Sequence, residues 1–521
     1  MLATARHLSR IGLCTAFLFT SSLPAFAQSP LRNSGASSAQ AAGLPASVRA
    51  IDQVATLEAD DGSSEGNFGY SVSLLGNRAL VGAPLSESGR GAAYVFVRDG
   101  SSWTQEAKLV ADDGAGADLL GTAVSLSGDR ALVGAGNSGP SGVRTGSAYV
   151  FVRDGSTWTQ EAKLTAEDGA DGDRFGFSVS LSGDRALVGA QSNRANPNGP
   201  DTGAAYVYRR EGSSWIQEAK LVAADGAEND QFGASVSLVG GRALVGAVSD
   251  DDGGSFSGSA YVFVHNGSSW TQEAKLTAAD SAEDDLFGLS VALSSDRALI
   301  GAFGDDNESG SAYTFVRTGE EWSQEDKFTS LDVEEGDGFG RSVALSGSRA
   351  LVGANFAGEN GSHRGAAYLF DFDGDSWTQE AKLLLSDSAP SDLFGGAVAF
   401  TEAFAVVGAE GRDMLRGAAF VFSMTETTSD EGGAESSFIL SAAVPNPATR
   451  HATLTLSLAS PEYVRASLID AVGRNVHVIH DGETSGETRL AFDVSVLPPG
   501  LYVVRVEGET FAETRRLTVV R

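Results

Sequence analysis

Residues 71–109 carry four short apolar patterns separated by tight polar turns. The first, 71–75, alternates around Val72 and Leu74, and the second, RALVGA at 78–83, is small or apolar nearly throughout. The third, AAYVFV at 92–97, is again unbroken. The fourth, WTQEAKL at 103–109, alternates, with Trp103, Gln105, Ala107 and Leu109 on one side and Thr104, Glu106 and Lys108 on the other. Alternation predicts a strand with one buried face, and an unbroken run predicts a strand buried on both. Gly76-Asn77 and Asp99-Gly100 are hairpin-turn pairs, and no stretch here has a helical period.

This unit occurs seven times. Its anchor is an aromatic-Gly pair at Phe68-Gly69, Phe175-Gly176, Phe232-Gly233, Phe287-Gly288, Phe339-Gly340 and Phe394-Gly395, with Leu120-Gly121 as the variant. Successive glycines lie 52 to 57 residues apart, and a Gly-Ala pair follows each by 13 residues. A Gly-[Ala/Ser]-Ala-Tyr segment comes next, with Phe420 in place of Tyr in the last copy. Nine residues after each Tyr stands a Trp (Trp103, Trp158, Trp215, Trp270, Trp322 and Trp377), and these are all six tryptophans of the chain. Fixed registers of this kind predict blade packing for the Tyr and Trp series. Length varies only between Gly-Ala and Tyr.

Four antiparallel strands repeated seven times predict an all-β chain built on a seven-bladed β-propeller. The last copy stops after its third strand. Residues 51–57 (IDQVATL) match WTQEAKL in spacing, so the N-terminal strand is expected to complete the seventh blade and close the ring. All six lysines occupy one position on the fourth strand, where charge is expected to guard an outer edge against sheet-to-sheet pairing.

The ends differ from the repeats. Arg6 and Arg10 precede an apolar run, and Ala25-Phe26-Ala27 gives a cleavage site, so residues 1–27 read as a signal peptide. That run is too short to anchor in a bilayer, and no other segment is apolar enough to span one. Residues 28–50 read as a flexible leader and 425–437 as a linker before a distinct unit at 438–521. Cys14 is the single cysteine and falls within the signal, which excludes a disulfide framework. The 521 residues carry a formal charge of −31; residues 28–437 hold 59 acids against 27 bases. Such acidity argues against a nucleic-acid partner, which would call for a basic surface to meet its phosphates.

The seven-fold Phe-Gly, strand, (Leu/Ile/Val)-(Val/Ile)-Gly-Ala constellation resembles the FG-GAP repeats of integrin α-subunit propellers over 51–424. In that family some blades hold calcium in an Asp-rich loop before the Gly-Ala strand. The corresponding turns here (LGNR, SGDR, VGGR, SSDR, SGSR) are short and poor in carboxylates, so that site is not carried over. Residues 438–521 resemble the C-terminal sorting domain of type IX secretion substrates, through Pro445-Asn446-Pro447, LIDAVGRNV at 468–476 and LPPGLYVVRV at 497–506. The resemblance implies a small immunoglobulin-like β-sandwich, an export machinery as partner, and an extracellular or outer-surface location.

Two aspartate series punctuate the blade-to-blade loops. One stands eight residues before each anchor glycine: Asp61, Asp113, Asp168, Asp225, Asp280, Asp332 and Asp387. The other stands three before it in six of the seven copies: Asp118, Asp173, Asp230, Asp285, Asp337 and Asp392. They could form a ring of calcium sites, since hard cations want several carboxylate and carbonyl oxygens. They could equally be turn formers, because Asp caps its own backbone in loops. Presence in every blade favours turn chemistry. Asp371-Phe372-Asp373-Gly374-Asp375 has the opening spacing of a calcium loop but lacks its later ligands and falls in a hairpin turn. Gly134-Ala135-Gly136-Asn137-Ser138-Gly139 matches a dinucleotide fingerprint with no helix to follow. No nucleophile elbow, zinc motif or phosphate loop is present.

The variable loops (83–91, 135–146, 190–203, 247–258, 302–310, 354–365 and 409–417) are expected on the same face as the acidic loops. The function expected is therefore non-enzymatic: a secreted or surface propeller holding a protein or glycan on that face. The alternatives are a hydrolase with carboxylates near the propeller axis, and a structural surface-layer component.

Overall fold

The computed structural model describes residues 51–61, 65–139, 143–192, 201–358, 361–424, 438–440, 448–470, 474–508 and 512–520. The expected signal peptide, leader and linker, and Pro445-Asn446-Pro447, lie outside them.

Seven four-stranded antiparallel sheets follow one another along the chain. In the first, Ser71–Leu75, Arg78–Ala83, Ala92–Asp99 and Ser102–Leu109 pair in sequence order. Two-residue turns with a glycine at positive φ, such as Gly76 and Gly100, make the tight hairpins between the first and second and between the third and fourth strands. The second strand is buried on both faces: Ala79, Leu80 and Val81 are inaccessible.

The innermost strands touch their neighbours all the way round, from Ser71–Leu75 through Phe394–Phe400 and back. Seven apolar clusters result, each lying between two adjacent blades. The cluster at the seam joins Leu57, Phe68, Val81 and Tyr94 to Val406, Ala419 and Val421. Gln53–Leu57 pairs antiparallel with Ala418–Ser423 as the outer strand of the seventh sheet, so the two ends of the repeat region are zipped together.

The anchor glycines exist because backbone meets backbone at each interface. A Cβ on Gly82 would lie 2.1 Å from the carbonyl oxygen of Gly121 in the next blade. The same contact recurs at every interface, including Gly408 against Gly69 across the seam, at 2.0 Å. The anchor phenylalanine then packs edge-on against the aromatic residues of the third strand, as Phe175 does on Tyr206 and Tyr208 at 5.4 and 6.0 Å.

The fourth strand departs from the expected alternation. Its pairing slips between Val95↔Ala107 and Phe96↔Gln105, leaving Glu106 as a bulge, and the slip recurs in each blade. A bulge turns the residues beyond it by one position. Gln105 and Lys108, predicted on opposite faces, therefore both hold the same acidic loop. Gln105 Oε1 accepts the Asp60 N–H at 3.0 Å, and Lys108 reaches Asp61. Glu106 turns instead to the Arg78 guanidinium (3.1 and 3.2 Å) and to Trp158 Nε1 of the next blade (2.9 Å).

The C-terminal unit is a β structure of its own. The hairpin of His451–Asp470 with Asn475–Asp493 is joined by Phe438–Leu440, Gly500–Glu507 and Ala512–Val519. Both halves of the long hairpin feed one core, with Leu454, Leu490 and Phe492 beside Val464, Leu468, Val504 and Leu517. That requires the hairpin to fold over on itself, consistent with an immunoglobulin-like domain.

Candidate functional site

The variable loops and acidic loops meet at one end of the ring. Leu119 N–H donates to the Gly89 carbonyl at 2.9 Å, and the Arg90 guanidinium donates to the Ala111 carbonyl at 3.0 Å.

The first aspartate series is held by the lysines. Lys108, Lys163, Lys220, Lys275, Lys327 and Lys382 reach Asp61, Asp113, Asp168, Asp225, Asp280 and Asp332 at 2.5–2.9 Å. Each ammonium also lies 5.1–5.6 Å from the ring centroid of the Tyr of its blade. Tyr94, Tyr149, Tyr206 and Tyr313 donate their hydroxyls to the same aspartates at 2.8–3.0 Å. In the fourth blade Tyr261 turns to Asp250 of the variable loop, at 2.8 Å. The lysines are thus half-buried clamps between strand and loop, and their expected role as guards of the outer edge is corrected. The bulge at Glu106 and its counterparts is what aims them inward. Burial works against the charge of Asp113, Asp168, Asp225 and Asp280, but the lysine's bond and charge, with the tyrosine and backbone bonds, together outweigh it and hold these carboxyls below the usual range.

Three clamps gather more acid, the first being Lys108 between Asp61 and Glu87. Lys275 meets Asp225, Asp250 and Asp252, and Lys327 meets Asp280, Asp305 and Asp306. The centre of each cluster is an ammonium.

The second series faces its own backbone. Asp118, Asp173, Asp230, Asp285, Asp337 and Asp392 each accept the N–H three residues back, at 2.6–2.9 Å, and all are buried. That is the geometry of turn formation. Burial pushes Asp230 and Asp285 up to about 6, with Asp250 and Asp305 adding repulsion. Among the described residues, no three His, Cys, Asp or Glu side chains stand where they could hold a metal ion. The short turns before the Gly-Ala strand do not suit one either, since Asp129 and Asp184 are engaged by Arg153 and Arg210. Asp373 caps the N–H groups of Asp375 and Ser376 in a hairpin turn.

The seventh blade solves the same problem with other residues. Thr56 stands where the lysine would be, and Phe420 replaces the tyrosine. Arg412, from the variable loop, supplies the charge: its guanidinium lies 5.2 Å from the Phe420 centroid and reaches Asp387 at 2.6 Å and Asp392 at 3.3 Å. Sequence reading missed this arginine. The signal was the joint loss of Lys and Tyr hydroxyl in the last copy.

The FG-GAP repeat family matches at 51–96, 103–151, 158–208, 215–263, 270–315, 322–370 and 377–422. Each match starts on a fourth strand and crosses into the next blade, the first of them on the strand that closes the ring. A secretion system C-terminal sorting domain matches at 443–520, which marks the protein for export to the cell surface or beyond. No helix among the described residues is long and apolar enough to cross a membrane. No curated protein matches the chain. Among solved structures, a fungal alcohol oxidase of the AA5 family in complex with copper aligns at 14% identity and TM-score 0.46, over 90% of this chain and 99% of that one. With seven matches spread over more than half of its length, the chain belongs to the FG-GAP repeat family and ends in a secretion sorting domain.

Proposed function

We propose that the exported propeller is a non-enzymatic binding or adhesion module that holds a protein or glycan ligand on its variable-loop face. The observation carrying this reading is the contrast between the two ends of the ring. At one end, hairpins of near-constant length repeat with little change. At the other, loops of 9 to 14 residues vary in length and sequence on a base locked by the lysine clamps. A rigid scaffold that concentrates variation in surface loops is the usual arrangement of a recognition surface.

The test is to replace each longer loop by the nine-residue loop 83–91 and measure adhesion of the purified propeller to cells and matrix. Loss of adhesion with an unchanged melting temperature is expected. Unchanged adhesion would sink the reading.

A further inference from the structure

Most charged groups around the loop face repeat and are paired. Two are neither. Arg341, directly after its anchor glycine, is the one charged residue among the seven copies of that position. Glu410, directly after its Gly-Ala pair, is the one charged residue at its own. The first of these positions opens the innermost strand, so Arg341 stands at the rim of the central channel on the variable-loop end.

The seventh blade is shaped to seat Glu410. Its residue at the Arg341 position is Gly396, and a Cβ there would lie 2.7 Å from Glu410 Oε2. The glycine makes room, and the carboxyl group lies over the start of the seventh innermost strand. Arg341 in the sixth blade is the charge acting on it, yet no ion pair closes between them. Burial holds Glu410 up to about 7 against the pull of that arginine. On the other side, Gly408 lies against the carbonyl of Gly69, which sets Tyr70 as the next rim residue of the first blade. Three successive rim positions thus carry a guanidinium, a carboxyl and an aromatic ring.

A half-buried arginine and carboxyl left apart are costly to desolvate unless a third group completes them. A guanidinium presents a planar fork suited to a carboxylate, a carboxyl group bonds hydroxyls, and a tyrosine ring offers an apolar face to a sugar. We propose that the channel rim between the sixth, seventh and first blades binds the uronic acid unit of an acidic polysaccharide, with Arg341 on its carboxylate, Glu410 on a ring hydroxyl and Tyr70 against the sugar face. This rests on the reading of the propeller as a binding module and names one ligand class for it. A single carboxyl supplies no acid pair for glycoside hydrolysis.

The test is calorimetric titration of the mature protein with trimers of galacturonate and of mannuronate, and with neutral galactotriose. At least one acidic trimer is expected to bind at least tenfold more tightly than the neutral one. Arg341→Gln should remove that preference, Arg341→Lys should keep part of it, and Glu410→Gln and Tyr70→Ala should each weaken binding severalfold. Thermal melts confirm that each variant is folded; should Arg341→Gln fail to fold, Arg341→Lys decides, since undiminished binding there removes the fork from the argument. Binding of neither acidic trimer, equal binding of acidic and neutral trimers, or wild-type affinity in Arg341→Gln would overturn the proposal. If the trimers fail while loop replacement still abolishes adhesion, the rim site falls and the binding propeller stands. If loop replacement changes nothing while the trimers bind, the rim site stands alone.

Discussion

Lys163 and its counterparts carry positive charge into a patch rich in carboxylates. Removing the ammonium while keeping the stem, as in Lys163→Met, leaves Asp113 with the Tyr149 hydroxyl and a backbone N–H. Asp113 is more than half exposed, so the expected cost is modest, about 1 kcal/mol. Lys275→Met should cost more, because Asp225, Asp250 and Asp252 would then repel one another with no cation among them. Urea melts of the two variants check the order, and equal losses would contradict the clamp. The same residues bear on calcium. With one series taken by lysines and the other by backbone N–H groups, adding calcium to chelated protein should leave the melting temperature unchanged. An upward shift would restore the cation reading of the aspartates.

At the scale of the element, the fourth strand assigns a task to nearly every residue, and the closing strand shows what happens when the tasks change. Glu106, Glu161, Glu218, Glu273 and Glu325 each accept the Trp Nε1 of the following blade. Trp103 follows the closing strand, where Val54 fills the bulge, and its Nε1 is buried with no partner. The arginine that would pair with that glutamate is also gone: Phe404 stands in its place, 5.8 Å edge-on from Trp103 and under Arg98 at 4.6 Å. The pair was exchanged together and Val54 is 41% exposed, so Val54→Glu alone should change stability by less than about 1 kcal/mol, its carboxylate gaining the Trp103 Nε1 while lacking its arginine. Val54→Glu with Phe404→Arg should be more stable than the two single changes added together imply, and the coupling can be read from a double-mutant cycle of urea melts. Additive losses would refute the coupling.

This contrast also separates what the sequence disclosed from what it concealed. The anchors were legible because Gly82, Gly121 and their counterparts sit where no Cβ fits, and a contact repeated at seven interfaces leaves a fixed spacing. Closure by residues 51–57 was legible for the same reason. The clamps were not, because a bulge has no residue signature of its own, and strict alternation set Lys108 and Gln105 on opposite faces. The rim pair was hidden by the repeat itself: Arg341 and Glu410 lie 69 positions apart, and only the ring brings them near.

For the whole molecule, two sets of carboxyls within residues 28–437 titrate in opposite senses. Asp113, Asp168, Asp225 and Asp280, with Glu106, Glu161, Glu218, Glu273 and Glu325, are held below their ordinary range. Their stabilisation is complete above the unfolded carboxylate pKa of about 4 and is lost as pH falls through the lowered folded values. Asp230 and Asp285, held at about 6, do the reverse. Above that pH they are ionised in a buried site and work against folding, and the penalty is relieved as pH falls from about 6 toward 4. Stability should therefore rise slightly between pH 7 and 5, then collapse below about 4 as the clamps and the Arg-Glu-Trp links protonate. Asp230→Asn tests the second population by itself, since its amide oxygen can still accept the Ala227 N–H. That variant should be more stable than the native chain at pH 7, and the gain should shrink at pH 5, where the native aspartate takes up its proton. A variant equally stabilised at both values would show that Asp230 acts through packing and not through its charge.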